Sequence, residues 1–250
     1  MKASIAIKDK TYQIDLSKPL DISIGLRGDE KNPVAWYLEA PKIKPVKDGD
    51  FIGKVTEGAS VNFNNIQFNP HAHGTHTENV GHISREFHSI NQTLKQFFFT
   101  AELISVSPEK QGEDWMISEE MLKKKFQKGQ SEALIIRTLP NLREKQTRKY
   151  SHTNWPYLSE AAAVYIRNCG VNHLLIDLPS VDKEKDNGKL LAHKAFWNYP
   201  KNTRFEATIT ELIYVSNVIP DGHYFLNLQI ASFENDATPA KPVLYKIFQK

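Results

Sequence analysis

The chain has a single cysteine, Cys169, in 250 residues, so no disulfide can form within it. That fits a reducing compartment. Cys169 ends an apolar helical pattern just before Gly170 and reads as packing rather than as a nucleophile. No apolar run approaches the roughly 20 residues that a membrane helix needs. Lys8 and Lys10 interrupt the first apolar residues, so no secretory h-region is legible. The expected setting is cytoplasmic. Charge does not lean either way: 32 basic against 29 acidic residues leave a formal +3, too balanced to point to nucleic acid or an acidic membrane. Lys123-Lys124-Lys125 and the basic residues of 143–149 read as a solvated helix face and a loop. Also missing are a phosphate-binding glycine loop, a Rossmann fingerprint and a serine nucleophile elbow.

What is present begins with ordinary globular composition, 40% hydrophobic and 24% charged. Such a length buries a core without staples, and one domain over 1–250 is expected. Histidine is concentrated. Four of the nine fall in the fourteen residues from Asn69 to His82, as His71, His73, His76 and His82, with Glu78 among them. Imidazole is the commonest metal ligand and the usual acid or base near neutral pH. Pro70, Gly74 and Gly81 suit a loop that turns tightly to aim several side chains at one point. If residues 76–78 stay extended, His76 and Glu78 point to one side; His71 and His73 stand in the same two-residue relation.

Around this stretch the pattern alternates strand and helix. Residues 4–7 and 12–16 read as a hairpin turning at Lys8-Asp9-Lys10. Residues 21–50, rich in glycine and proline, read as a long excursion with a short strand at 34–38. Strands follow at 51–55 and 61–68, the second interrupted at Asn64-Asn65, and a buried strand at 97–106. A helix is predicted over 118–126, with Ser118 as its cap. A strand at 133–138, a helix at 159–168 ending before Gly170, and a strand at 171–178 form a βαβ unit with parallel, adjacent strands. A short helix at 190–197 carries His193, a strand at 207–215 carries Glu211, and strands at 224–232 and 243–248 complete the chain. The reading is α/β with a mixed, partly barrel-like sheet. Glu211 lies in an apolar strand, where a buried carboxylate needs a partner or a metal; an outward-facing residue is the competing reading. His193, taken alone, reads as a core histidine. His152 reads as a surface residue, and His88, His173 and His223 signal nothing specific. Trp36, Tyr37 and Trp197 read as core or interface aromatics, although they would also suit an aromatic substrate.

Gly74-Thr75-His76-Thr77-Glu78 followed by His82 resembles the signature His-x-Gly-Thr-His-x-Asp-x-Pro-x-His of the cyclase-like, kynurenine-formamidase-type metal-dependent hydrolases. Asp15-Leu16-Ser17-Lys18-Pro19-Leu20, Leu158-Ser159-Glu160-Ala161-Ala162 and Ile176-Asp177-Leu178-Pro179-Ser180-Val181-Asp182 are similar to further family segments, in the right order. The resemblance implies a swivelling β/β/α fold, a homodimer or larger assembly, and one or two zinc or manganese ions. It implies His76, Glu78, His193 and Glu211 as ligands and His82 as acid/base. Three positions depart from the signature. Ala72 stands where the first histidine belongs, with His71 and His73 on either side as substitute ligands; Glu78 replaces aspartate and Val80 replaces proline.

The function expected is hydrolysis of an N-formyl or cyclic amide in a small molecule. Metal-bound hydroxide would attack the carbonyl while His82 protonates the departing nitrogen. The alternative is a noncatalytic small-molecule or metal-binding protein on the same fold, which Ala72 keeps open.

Overall fold

The computed structural model describes residues 1–7, 10–129 and 131–249. Lys8 and Asp9 of the expected first turn lie outside the described residues. The strands on either side pair antiparallel, β1 (Lys2–Ile7) with β2 (Lys10–Asp15).

The main sheet is built on these and eight further strands. They are β3 (Leu20–Asp21), β4 (His76–Glu78), β5 (Phe98–Val106), β6 (Ala133–Thr138), β7 (His173–Ile176), β8 (Thr208–Glu211), β9 (Gly222–Ile230) and β10 (Ala237–Gln249). Seven of them close a ring in the order β10, β9, β5, β6, β7, β8, β4 and back to β10. Strands β5, β6, β7 and β8 run parallel to one another; the remaining pairings of the ring are antiparallel. This is the mixed, barrel-like α/β architecture that the sequence pattern suggests.

The central strands β6 and β7 carry apolar runs without alternation, Ala133 to Ile136 and Leu174 to Ile176, because both their faces are covered. Ala133, Ile135, Leu103, Leu175 and Leu226 pack in one core cluster, which fills the ring. Leu134, Ile136, Leu174 and Ile176 face outward onto helix α1 (Glu160–Asn168) and helix α2 (Leu191–Trp197), through Ala162, Ala163, Ile166, Ala192 and Phe196. Ser159 caps α1 by accepting from the Ala162 N–H, and Gly170 follows in the left-handed region at φ +87°. Strands β6 and β7 are parallel neighbours across α1, as the βαβ pattern requires. The helix expected over 118–126 forms as Glu119–Lys123, capped by Ser118, and Phe126 continues it with an N–H bond to Leu122.

The excursion differs from the sequence reading. No strand forms at 34–38: Val34 makes a lone bridge to Lys149, then Trp36 and Tyr37 adopt φ of 59° and 60°. Two consecutive bulky residues in the left-handed region cannot continue a pleated strand. Beyond them Lys42–Pro45 pairs with Asn64–Gln67, and Lys47–Asp48 with Phe51–Ile52. The strand expected over 61–68 thus forms only as Asn64–Gln67: it begins at Asn64 instead of being interrupted there, and residues 61–63 stay outside it. Residues 55–57 form a single 3-10 turn instead of extending the strand. This arm leaves Ile43, Phe51, Phe63 and Ile66 exposed. No helix among the described residues is long and apolar enough to cross a membrane.

Candidate metal centre

The histidine stretch becomes a helical turn, a strand and a 3-10 turn in quick succession. Asn69 starts the first by accepting from the His71 N–H, with Pro70 at the first helical position. The turn Pro70–His73 sends His71 and His73 different ways. His73 is tied down elsewhere: its Nδ1 accepts from the Asn69 N–H at 2.8 Å and its Nε2 donates to the Glu39 carbonyl at 2.8 Å. The structure does not bring His73 to the other candidates, and both its ring nitrogens are already used.

Thr75 anchors the chain between this turn and β4. Its hydroxyl accepts from the Ile24 N–H and donates to the Leu212 carbonyl, fixing the loop to the end of β8. In β4, His76 sits opposite Glu211 and Glu78 opposite Ile209, so all four share one face, and Ile209 places that face on the helix side of the ring. Thr77 points the other way, to Thr210 at 2.8 Å. Asn79 then starts the 3-10 turn that presents His82, accepting from the Gly81 N–H. A Cβ on Gly81 would lie 2.5 Å from the His88 carbonyl. Close approach, rather than a left-handed backbone, is what that glycine serves; Gly74 is simply extended, at φ 162°.

Glu78 is fully buried at the middle of the group. His193 Nε2, arriving from α2, lies 3.0 Å from its Oε1, and His71 Nδ1 3.0 Å from its Oε2. His82 Nδ1 is 4.0 Å from the same Oε2. His76 Nε2 lies 3.4 Å from Glu211 Oε2, while Glu211 Oε1 accepts from the Val181 N–H at 2.8 Å. Six of the seven residues singled out from the sequence therefore meet: His71, His76, Glu78, His82, His193 and Glu211. Two carboxylates that carried no assigned role join them. Asp236 Oδ2 lies 2.8 Å from His71 Nε2 and 3.4 Å from His82 Nδ1; Asp182 Oδ2 lies 2.6 Å from His193 Nδ1. Asp182 stands within one of the family-like segments. Asp236 gives no local signal, being 165 positions from His71.

The electrostatics follow from burial opposed by pairing. Burial alone would raise the Glu78 pKa, yet the neighbouring His82, His193 and His71 hold it well below the usual carboxylate range. Burial likewise works against charge on His71, but Asp236 and Glu78 outweigh it and hold its pKa up at about 10. His193 is raised in the same way by Asp182 and Glu78. Within the cluster, two buried atoms lack a hydrogen bond: His76 Nε2 and Glu78 Oε2. The short approach of His71 to Oε2 is a charge contact without hydrogen-bond alignment.

Three sets of donor atoms each lie within 4.8 Å of one another: His71, His82 and Asp236; His71, His76 and Glu78; and Glu78, His82 and His193. Imidazole and carboxylate are ligands for divalent ions, so this His/Glu cluster is able to bind a metal. Glu78 belongs to two of the three sets.

A family model described as putative cyclase matches residues 14–183. No curated protein matches the chain. Among solved structures, a predicted metal-dependent hydrolase from Bacillus stearothermophilus is 17% identical, with 91% of this chain and 98% of that one aligned at a TM-score of 0.64. An isatin hydrolase bound to the product analogue thioisatinate is 13% identical, with 93% of each chain aligned at 0.66. Isatin hydrolase A from Ralstonia solanacearum is 15% identical, with 91% of each chain aligned at 0.65. At these identities the likeness is one of fold.

Proposed function

The chain belongs to the putative cyclase family, and from that footing we propose that it is a metal-dependent hydrolase of an amide bond in a small molecule. The observation that carries the proposal is the pair of buried atoms without a hydrogen bond, His76 Nε2 and Glu78 Oε2, within one His/Glu cluster. Each buried unmade bond costs about 1–3 kcal/mol. A divalent cation satisfies an imidazole lone pair and a carboxylate together, so the donor set fits the group.

His71, His76, Glu78, His193 and Glu211 would hold one or two zinc or manganese ions, with Glu78 shared. His73 drops out of this set. When bound, such an ion polarises a carbonyl and lowers the pKa of water toward ~7. The chain's own residues do the rest. Glu78 and Glu211 supply the negative charge that retains a cation. The His82 side chain is 32% exposed, so solvent reaches it, and its Nδ1 faces the cluster. That places it to hand a proton to the departing nitrogen. The likeness to isatin hydrolases supports a cyclic amide as substrate, and the formamidase-like signature around His76 and Glu78 supports an N-formyl amide. We place the activity on one domain, in the cytoplasm, and in a homodimer or larger assembly formed through the exposed apolar arm.

The test is a panel of N-formylkynurenine, formanilide, isatin and simple esters, assayed with added Mn²⁺ or Zn²⁺. Wild type hydrolyses at least one amide, and His82→Ala lowers kcat by about 10²–10⁴-fold. Failure to hydrolyse any amide with either metal would count against the proposal.

A further inference from the structure

His71 and His193 approach Glu78 from opposite sides, each at 3.0 Å, and each carries an aspartate on its far nitrogen. Behind His193, Asp182 is buried and already fixed: its Oδ1 accepts from the Ala192 N–H at 2.7 Å, and its Oδ2 from the His193 N–H and Nδ1. The Asp182 carbonyl is held in turn by the Trp155 indole. Behind His71, Asp236 sits on a pinned segment, where the Asp236 carbonyl accepts from the Asn79 N–H and the Asn235 carbonyl from the Ile90 N–H. The third imidazole follows the same pattern with a backbone group, since His76 Nδ1 donates to the Gly74 carbonyl at 3.0 Å.

An ionised carboxylate only accepts hydrogen bonds, and a neutral imidazole has one donor and one acceptor nitrogen. The far-side acceptor therefore fixes where the ring proton sits. Glu78 Oε1 accepts from His193 Nε2 at 3.0 Å, so the inner nitrogens that face Glu78 bear protons here. A bound cation would take the place of those inner protons, while the far-side aspartates keep the outer ones, and His76 Nε2 is already free beside Glu211. We propose that Asp182 and Asp236 are positioning residues of the metal centre, each fixing the tautomer and ring orientation of one histidine so that its inner nitrogen is presented to the ion. Such outer carboxylates commonly govern affinity without touching the metal. His71 is thereby equipped to stand in for the histidine that Ala72 lacks. The inference rests on the metal-centre reading under Proposed function.

The substitutions are chosen from the partners. At Asp182 every neighbour is a donor, so the amide of Asp182→Asn can satisfy only part of them. At Asp236 an amide could turn its oxygen to His71, so Asp236→Ala is the informative change. Metal-free wild type and both variants are titrated with Co²⁺ against a competing chelator, with the visible spectrum recorded at saturation and the unfolding midpoint measured without metal. Each variant should bind about 10–100-fold more weakly, with the stoichiometry and coordination bands of wild type. Unchanged affinity in both variants overturns the proposal and leaves the metal centre standing. A change of coordination number in Asp236→Ala makes Asp236 a ligand and overturns its positioning role. Weaker binding matched only by a lowered metal-free midpoint assigns a merely structural role and overturns it too. Wild type that binds no Co²⁺ overturns both this inference and the metal-centre reading.

Discussion

In the helical turn Pro70–His73 each residue advances about 100°, so side chains two apart leave it about 200° from each other. His71 consequently faces Glu78 while His73 caps the backbone of Asn69 and Glu39. His71→Ala should lower metal affinity at least tenfold with little change in fold. His73→Ala should leave metal binding intact and cost about 1–2 kcal/mol of stability, read from denaturant unfolding. At this scale the sequence is most informative where the backbone is extended: His76 and Glu78 on one face, and His82 just beyond. It misleads where two-residue spacing suggests a common side for His71 and His73, because a proline-led, asparagine-capped turn is helical. Asp236 is invisible for a different reason. Only the fold brings it to His71, and an aspartate before a strand signals nothing by itself.

Among the elements, the βαβ unit is legible because its strands are apolar on both faces and its helix carries both end signals, Ser159 and Gly170. The excursion is not, because left-handed Trp36 and Tyr37 have no sequence mark; such values are uncommon outside glycine and asparagine. Strand β7 opens on His173, which carries no signal in the sequence and is buried against the Phe99 ring, with Nδ1 2.9 Å from Thr208 Oγ1. Burial, helped by nearby Arg204, pushes its pKa from 6.5 down to about 4. A histidine held neutral in the fold binds fewer protons than in the unfolded chain. Its contribution is fully present above pH 6.5 and is lost as pH falls toward about 4. The span corresponds to as much as about 3 kcal/mol. Urea unfolding of wild type between pH 7 and pH 4 should show that loss, and His173→Asn, which does not titrate, should show a shallower one. Parallel pH profiles for the two would refute it.

For the whole molecule, closure of the ring makes the site. Strand β4 is three residues long, yet it bridges β8 and β10, bringing His76 and Glu78 beside Glu211 and Asp236. The sequence points to a barrel-like sheet but not to the closing strand, which is hidden inside the histidine stretch and too short to show a period. The arm of residues 42–67 adds exposed Ile43, Phe63 and Ile66 to the outside. In equilibrium sedimentation we expect wild type to be a dimer or larger, and the double variant Phe63→Glu, Ile66→Glu to shift toward monomer. A wild type that stays monomeric at micromolar concentrations would remove the assembly from the account.

The most direct measurement is the metal content of protein purified without chelator, by mass spectrometry, for wild type and Glu78→Gln. Gln keeps the volume of the buried side chain and removes the charge shared between His71 and His193. The account predicts at least one zinc or manganese per wild-type chain and close to none in the folded variant. A wild type with no stoichiometric transition metal, or a variant that retains as much as wild type, would contradict it.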